Sequence, residues 1–367
     1  MKLRDSKYEL LRIIAMFLIV LHHSIIHGVF DTSLSNIVAN PINTEVLTIL
    51  ESGGKIGVFL FVLITGYFMS DSHISIKKLV KLWLPIFFWS VFLCLVISPI
   101  ADNGLKIKYI VKSLFPIIFN QYWFMTAYFF MYLLIPFLNV IVQTVNTKIK
   151  IILFILLGLV LIVSSVGTTT EITTFFGEDA GSMLLNFCIV YCWGGLIKKY
   201  KDKISKENIS RILFIIIFIQ LVIIQILFIL FFKTQNVFIW KLIKQFVIGP
   251  WTLGIVVIAC LCFIQFNNFS LKYNKWINKV ATTTFGIYLI SDNKYVRGWL
   301  WHEVFHTNTM LDKPYIIGYL ILISVLVFII CSILEYFRKK AFSKIEDNIG
   351  NKLLIIQDNF INKIGDI

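Results

Sequence analysis

The sequence predicts an all-α integral membrane protein, a bundle of about ten transmembrane helices with both termini in the cytoplasm. Three observations predict this fold class. The chain of 367 residues is 58% hydrophobic and only 15% charged, and its mean hydropathy is +0.84. Apolar runs long enough to span a bilayer recur along it. Its basic residues fall mostly on one side of the membrane once those runs are assigned as crossings.

The apolar runs give the predicted crossings in order. The first interrupts its apolar stretch with Arg12 and lacks a small-residue cleavage pattern, so we interpret it as a spanning helix and not as a signal peptide. The crossings are predicted near 8–28, 52–70, 79–100, 122–142, 149–167, 182–197, 211–232, 245–265, 281–300 and 314–337.

Lysine and arginine placement orients the bundle. A positive inner face is the usual pattern of membrane proteins, and it puts the protein in a cell membrane (plasma or inner) as a multi-pass protein. Topology alone explains the net charge of +14, so no nucleic-acid partner is predicted. The inner groups before the final crossing are Lys2, Arg4, Lys7, Lys77, Lys78, Lys81, Lys148, Lys150, Lys198, Lys199, Lys201, Lys203, Lys206, Arg211, Lys272, Lys275 and Lys279.

The chain divides into one membrane domain and a short tail. Residues 1–337 contain every predicted crossing and form the transmembrane domain. Residues 338–367 mix basic, acidic and apolar residues, which predicts a cytoplasmic amphipathic helix on the inner membrane surface or a partly disordered end.

Arg12 and His23 share one face of the first helix. Eleven steps of about 100° return to within roughly 20° of the start, about 16 Å along the axis. Ionisable side chains inside an apolar helix are costly and indicate function. His23, near the outer end, is suited to be a general base on a hydroxyl arriving from outside. Arg12, near the inner end, is suited to hold an anionic group from the cytosol.

Plainer interpretations of the same residues exist. Arg12 can snorkel to the inner headgroups, and His23 can be a hydrogen-bonded packing residue. His23 and His27 have the i, i+4 spacing of metal ligands, but the sequence offers no obvious third ligand nearby, so no metal site is predicted.

A zinc-protease pattern, H-E-x-x-H, occupies 302–306. On a helix His302 and His306 would share a face, and Glu303 would be the general base. The extended form of the motif has a glycine where Thr309 stands, and no third ligand is evident. We interpret these residues as a turn at the outer interface.

The ordered set of motifs resembles the acyltransferase-3 family of membrane O-acyltransferases, especially those that modify capsular polysaccharides and exopolysaccharides. Arg12, ten residues and His23 resemble the family's first-helix motif. The other stretches that resemble it are FLFVLITGYFM (59–69), KKLVKLWLP (77–85), YWFMTAYFFMYLLIP (122–136) and TFGIYLISDNKYVRGWLW (284–301).

The resemblance implies transfer of an acyl group, usually acetyl, from cytosolic acyl-CoA to a sugar hydroxyl at the outer face. It makes His23 the catalytic residue, and Arg12 a residue that helps bind the donor. The acceptor is a polysaccharide or a lipid-linked glycan. Acetyl-CoA is then a substrate, and no bound cofactor is expected.

Further site residues are predicted on both faces. The basic start of the third crossing places Lys77, Lys78 and Lys81 where they can meet the phosphates of coenzyme A. The family often has a histidine at the position of Ser291, so Ser291 or Asp292 can take over its role. The expected residues of the acceptor channel are Thr65, Gly66, Trp123, Tyr288, Ser291 and Asp292.

Two other functions compete with acyl transfer. A transporter or flippase of a glycan or lipid-linked sugar also fits ten helices with intramembrane charge. Against it, the ionisable residues are expected to concentrate in the first helix, and the sequence has no evident inverted repeat. The second competitor is a membrane zinc peptidase built on 302–306. The oligomeric state is not predicted.

Overall fold

The computed structural model describes residues 4–72, 74–101, 104–144, 180–203, 206–248 and 253–365, and every regular element within these ranges is a helix. The predicted crossing at 149–167 lies outside the described residues. The described helices are α1 (Ser6–Ser24), α2 (Leu34–Ala39), α3 (Pro41–Met69), α4 (Ile76–Ala101), α5 (Ile107–Leu114), α6 (Trp123–Thr144), α7 (Ala180–Tyr200), α8 (Lys206–Thr234), α9 (Val237–Ile248), α10 (Leu253–Asn267), α11 (Lys275–Ala281), α12 (Thr284–Ser291) and α13 (Ile316–Gly365).

Six spans among the described residues are long and apolar enough to cross a membrane, which confirms the prediction of an all-α membrane protein. The span in α8 leaves most of its apolar side chains exposed, as a helix facing lipid does. The spans are Ser6–Val29, Pro41–Met69, Ile76–Ala101, Trp123–Thr144, Asn208–Thr234 and Ile316–Asn359.

One predicted crossing is not a single helix. The crossing predicted near 281–300 is made of α12 followed by a turn. The crossing predicted near 245–265 contains the end of α9 and most of α10, and residues 249–252 between them lie outside the described residues. Hydroxyl groups help to separate α11 from α12, because Thr282 and Thr283 between them donate back to the carbonyl oxygens of Lys279 and Val280 at 2.8 and 2.7 Å. Such local bonds compete with continuation of a helix.

The last helix runs from Ile316 to Gly365 without a break at residue 338. Near its middle lies a buried ion pair, in which the Arg338 Nε donates to the Glu335 Oε2 at 2.8 Å. The Trp89 indole N–H of α4 donates to the same oxygen at 2.7 Å and so ties this part of the helix to the bundle. Its later turns pack on the start of α4, where Asp347 accepts ion pairs from Lys77 at 3.4 Å and Lys81 at 2.8 Å.

Helix α1 lies in the centre of the bundle and packs closely on α3. A Cβ added to Gly57 would stand 2.5 Å from the carbonyl oxygen of Ala15. One added to Gly66, further along α3, would overlap the backbone of Tyr191 in α7. Small residues let helix backbones approach in this way in membranes. The glycines of α3 therefore hold α1 and α7 on either side of it.

Candidate active site

Helix α1 positions both ends of the candidate site. Asp5 caps its first turn by accepting the backbone N–H of Lys7 at 3.0 Å. At the other end the helix passes directly into a π-helical turn, Ile25–Val29. Arg12 and His23 lie in the same unbroken helix, about 16 Å apart along its axis. The helix therefore holds the two groups at a fixed separation.

The carboxylate of Asp292, which is distant in the sequence, lies beside His23. The Asp292 side chain lies at the C-terminus of α12, and its Oδ1 is 3.7 Å from the His23 Nε2. Both side chains are buried, with 3% and 2% of their surfaces exposed. This is longer than a direct hydrogen bond, although dyads of this kind tighten when substrate binds. The arrangement suits a carboxylate that orients an imidazole.

Two further groups surround the same carboxylate oxygen. His27 places its Nε2 at 3.5 Å from the Asp292 Oδ1, and Arg297 places a guanidinium nitrogen at 3.7 Å from it. The same nitrogen of Arg297 is 3.4 Å from the His27 Nε2. The positive charge of Arg297 compensates the buried carboxylate, which alone would be costly.

Several polar atoms at this point are buried and have no hydrogen-bond partner within the described structure. They are the His23 Nδ1, the Tyr288 hydroxyl, the Ser291 Oγ and the Asp292 Oδ1. Buried polar groups are normally satisfied, so such a concentration is typical of a place where a ligand or water binds. Asp292 faces the Nε2 of His23, and the Nδ1 is the ring nitrogen without a partner in the described structure.

Aromatic rings form the wall of the site. The Tyr288 ring lies 6.0 Å from the His23 ring and 5.3 Å from Phe124. Beyond Phe124, the ammonium group of Lys55 lies over the Trp123 ring, 4.2 Å from its centroid. Flat apolar surfaces beside polar groups are what a sugar ring needs for binding.

A cavity of about 800 Å³ opens at the N-terminal end of α1. Arg12 lies at its edge, hydrogen-bonded to Glu9. Four cationic and three acidic side chains line it, and Glu9 pairs with both Arg4 and Arg12, so its net formal charge is slightly positive. The cavity is lined by Arg4, Asp5, Lys7, Tyr8, Glu9, Arg12, Tyr67, Phe68, Lys201, Asp202, Asn267 and Asn268.

The structure brings together only part of the predicted acceptor set. Tyr288, Ser291 and Asp292 all belong to the buried cluster around His23. Trp123 lies next to it, behind Phe124 at 6.0 Å. Thr65 and Gly66 lie apart from the cluster: Thr65 pairs with the Tyr128 hydroxyl at 2.9 Å, and Gly66 packs against α7.

The predicted donor lysines lie on another surface, at the start of α4. Lys77 contacts Asp347 and also donates to the Asn351 Oδ1 at 2.8 Å. Lys81 contacts Asp347 as well, and Lys78 lies 3.9 Å from the Met69 sulfur. The basic cavity beside Arg12 is formed by other residues.

The expectation that intramembrane ionisable residues concentrate in the first helix was wrong. Helix α3 buries Glu51, which is paired with Lys244 of α9. The backbone carbonyl of Glu51 also contacts the His22 Nδ1 at 2.8 Å.

The structure supplies the third metal-type ligand that the sequence did not reveal. One ligand atom each from His23, His27 and Asp292 lies within 4.8 Å of the others. The guanidinium of Arg297 stands 3.4 Å from one of these residues and 3.7 Å from another. A cation at that place repels a metal ion, so the cluster is better suited to proton transfer.

The H-E-x-x-H segment does not form a zinc-protease helix. Trp299–Val304 is a π-helical turn, and His306 takes a left-handed backbone conformation with φ 47°. His302 instead faces Asp31, with its Nε2 at 3.4 Å from the carboxylate. The interpretation of 302–306 as a turn agrees with this geometry.

Comparison with known protein families completes the description of the site. A family model described as an acyltransferase domain, that of the acyltransferase-3 family, matches residues 5–336. No curated protein and no solved structure matched the chain. The matched region contains both Arg12 and the His23–Asp292 cluster and covers nearly the whole chain. The chain is an acyltransferase and belongs to the acyltransferase-3 family.

Proposed function

We propose that this acyltransferase moves an acetyl group from acetyl-CoA at the cytoplasmic face to a hydroxyl of a cell-surface or exported polysaccharide. The observation that carries the proposal is the arrangement of two sites along α1. A basic cavity lies at Arg12, and a buried His–Asp pair lies about 16 Å further along the same helix. A donor and an acceptor on opposite faces need such a separation.

The chemical step is assigned to His23. Its Nδ1 removes the proton from the sugar hydroxyl as that oxygen attacks the thioester carbonyl. A carbon–oxygen bond forms, and the resulting tetrahedral intermediate collapses with cleavage of the carbon–sulfur bond. The departing thiolate takes the proton from His23, which restores the imidazole. Asp292 is a positioning residue that holds the Nε2 side of the ring.

The donor is assigned to the cavity beside Arg12. Coenzyme A carries phosphate groups, and Arg4, Lys7, Arg12 and Lys201 provide the cationic side chains to bind them. The lysines at the start of α4 pair in part with Asp347, as Arg4 and Arg12 pair with Glu9, but they do not line this cavity, so we assign the donor to the cavity residues. The acceptor is assigned to the opposite end, where aromatic rings surround His23.

The proposed topology has ten crossings, with both termini in the cytoplasm. The acceptor lies on the outer side of the membrane. Residues 1–337 carry the catalytic domain, and 338–367 form the cytoplasmic extension of the last helix. This orientation puts the Arg12 cavity in contact with cytosolic acyl-CoA. It follows the inner placement of the lysines.

The test is glycan O-acetylation in living cells. Surface polysaccharide is purified from cells that lack the protein and from cells complemented with wild type or with His23→Ala, and acetyl signals are measured by proton NMR. We expect wild type to restore the signals and an expressed His23→Ala to leave them absent. Full restoration by His23→Ala overturns the assignment of His23. Acetylation that never depends on the protein overturns the acetyl-transfer proposal.

A further inference from the structure

We infer that Tyr128 and Thr65 form a binding station for the pantetheine arm of the acyl donor, in which the Tyr128 oxygen accepts an amide N–H of that arm. The inference rests on the proposed acyl-CoA-dependent function and extends it to a named contact. It gives Thr65 a role on the donor side.

Tyr128 faces the interior of the bundle. It lies nine residues before Phe137, whose exposed side chain belongs to the outward stripe of α6. Nine steps of about 100° put the two side chains on opposite faces of the helix. Tyr128 and Thr65 are nevertheless only half-buried. Both side chains therefore keep surface that a ligand can contact.

The hydrogen bonds around the pair have a fixed direction. The Thr65 hydroxyl donates its single proton to the carbonyl oxygen of Phe61, one turn earlier, at 2.9 Å. The Thr65 oxygen can then only accept, so the Tyr128 hydroxyl donates to it, also at 2.9 Å. With its own proton used, the Tyr128 oxygen retains only acceptor capacity. The station therefore selects a ligand that offers a hydrogen-bond donor.

The position of the pair matches an arm that reaches from Arg12 to His23. Thr65 lies one turn of α3 from Phe68, which lines the cavity beside Arg12. On the other side of the pair, the Tyr128 ring is 5.7 Å from Phe124, which contacts Tyr288 beside His23. A pantetheine arm has two amide N–H groups, its phosphates at one end and its thioester at the other. The phosphates would then lie near Arg12, an amide N–H near Tyr128 and the thioester near His23.

The experiment compares two probes on the purified full-length protein in lipid nanodiscs. Coenzyme A carries the phosphates and the arm, whereas adenosine 3′,5′-bisphosphate carries phosphates without the arm. Dissociation constants are measured for both by calorimetry. We expect Tyr128→Phe and Thr65→Val to weaken coenzyme A binding by about 3- to 10-fold, the range for one lost hydrogen bond, and to leave the bisphosphate unchanged.

Two controls isolate the contact. Thr65→Ser keeps the hydroxyl and should bind coenzyme A as wild type does. Tyr319→Phe removes a phenol that donates to the Phe305 carbonyl at 2.7 Å, away from this route, and should also bind as wild type. Thermal unfolding of each variant identifies any that fails to fold, in which case the Thr65→Val and Thr65→Ser pair decides.

The failures are distinguishable. If wild type binds both probes and the Tyr128 and Thr65 variants bind coenzyme A equally well, the station is overturned while the donor proposal stands. Equal weakening for the two probes also overturns it, because a contact with the arm cannot affect the bisphosphate. If wild type binds neither probe, the proposed acyl-CoA donor is itself overturned, and the station with it.

Discussion

The Nε2 of His23 lies 3.7 Å from the Oδ1 of Asp292, although one residue comes from the first helix and the other from the end of α12. The backbone N–H of Asp292 bonds to the Tyr288 carbonyl at 3.0 Å, so the turn that ends α12 fixes where the carboxylate stands. The same relationship leaves the Nδ1 of His23 without a hydrogen-bond partner among the described residues.

Asp292→Asn should test the positioning role. The substitution keeps the shape of the side chain but removes the charge that orients the imidazole. We expect kcat to fall by about 10²- to 10⁴-fold, the range for impaired general base catalysis, with little change in the KM for acyl-CoA. Steady-state kinetics on purified protein measures both. Asp292→Glu, which keeps the carboxylate, should recover part of kcat; equal losses in the two variants would contradict the role.

The adjacent residues His22 and His23 of α1 should have different roles, one in stability and the other in catalysis. His23→Ala should abolish acyl transfer while the protein still folds. His22→Ala should retain activity per folded molecule but lose about 1–3 kcal/mol of stability, because the Glu51 carbonyl loses a buried partner. Thermal unfolding and specific activity separate these outcomes. An inactive but fully stable His22→Ala would contradict the assignment.

The buried pair of Glu51 and Lys244 should matter for stability. Removing one partner with Lys244→Met leaves Glu51 charged and buried, which costs about 3–5 kcal/mol. The double variant Lys244→Met with Glu51→Met should recover much of that loss, since neither charge is left alone. A double-variant cycle of unfolding midpoints makes the measurement. Additive losses would show that the pair is not coupled.

Gly66 should tolerate no side chain. A Cβ there overlaps the backbone of Tyr191, and backbone cannot move aside cheaply, so Gly66→Ala should sharply reduce the yield of folded protein. Gly318→Ala is the matched control, because a Cβ on Gly318 meets nothing within 4 Å. Size-exclusion chromatography of both variants gives the comparison. Normal yield of Gly66→Ala would mean that α3 and α7 are not in close contact.

The donor cavity and the start of α4 should respond differently to loss of a lysine. Lys7→Ala or Lys201→Ala should raise the KM for acyl-CoA about fivefold, as expected for one exposed charge pair of about 1 kcal/mol. Lys81→Ala should leave that KM unchanged, and so should Asp347→Ala, since the two residues pair with each other. A raised KM for acyl-CoA in Lys81→Ala alone would show that the donor phosphates bind at the start of α4 and not in the cavity.

The fold class followed from composition and periodicity, which record how each helix meets lipid. Arg12 and His23 could be placed on one face of the first helix from helix geometry alone. Asp292 could be named as a candidate because it ends the motif TFGIYLISD. The separation of α11 from α12 could not be predicted, because hydroxyl side chains and local packing decide helix ends.

What the sequence by itself determined was the membrane class, the family motifs and the presence of a base and a cation on helix α1. Only the tertiary structure decided that Asp292 lies beside His23 and Arg297 beside Asp292, and that Thr65 pairs with Tyr128. It also decided that Lys77 and Lys81 of α4 contact Asp347. The physical reason is distance along the chain. Periodicity fixes the angle between residues of one helix, whereas contacts between helices depend on how closely the glycine faces let them pack.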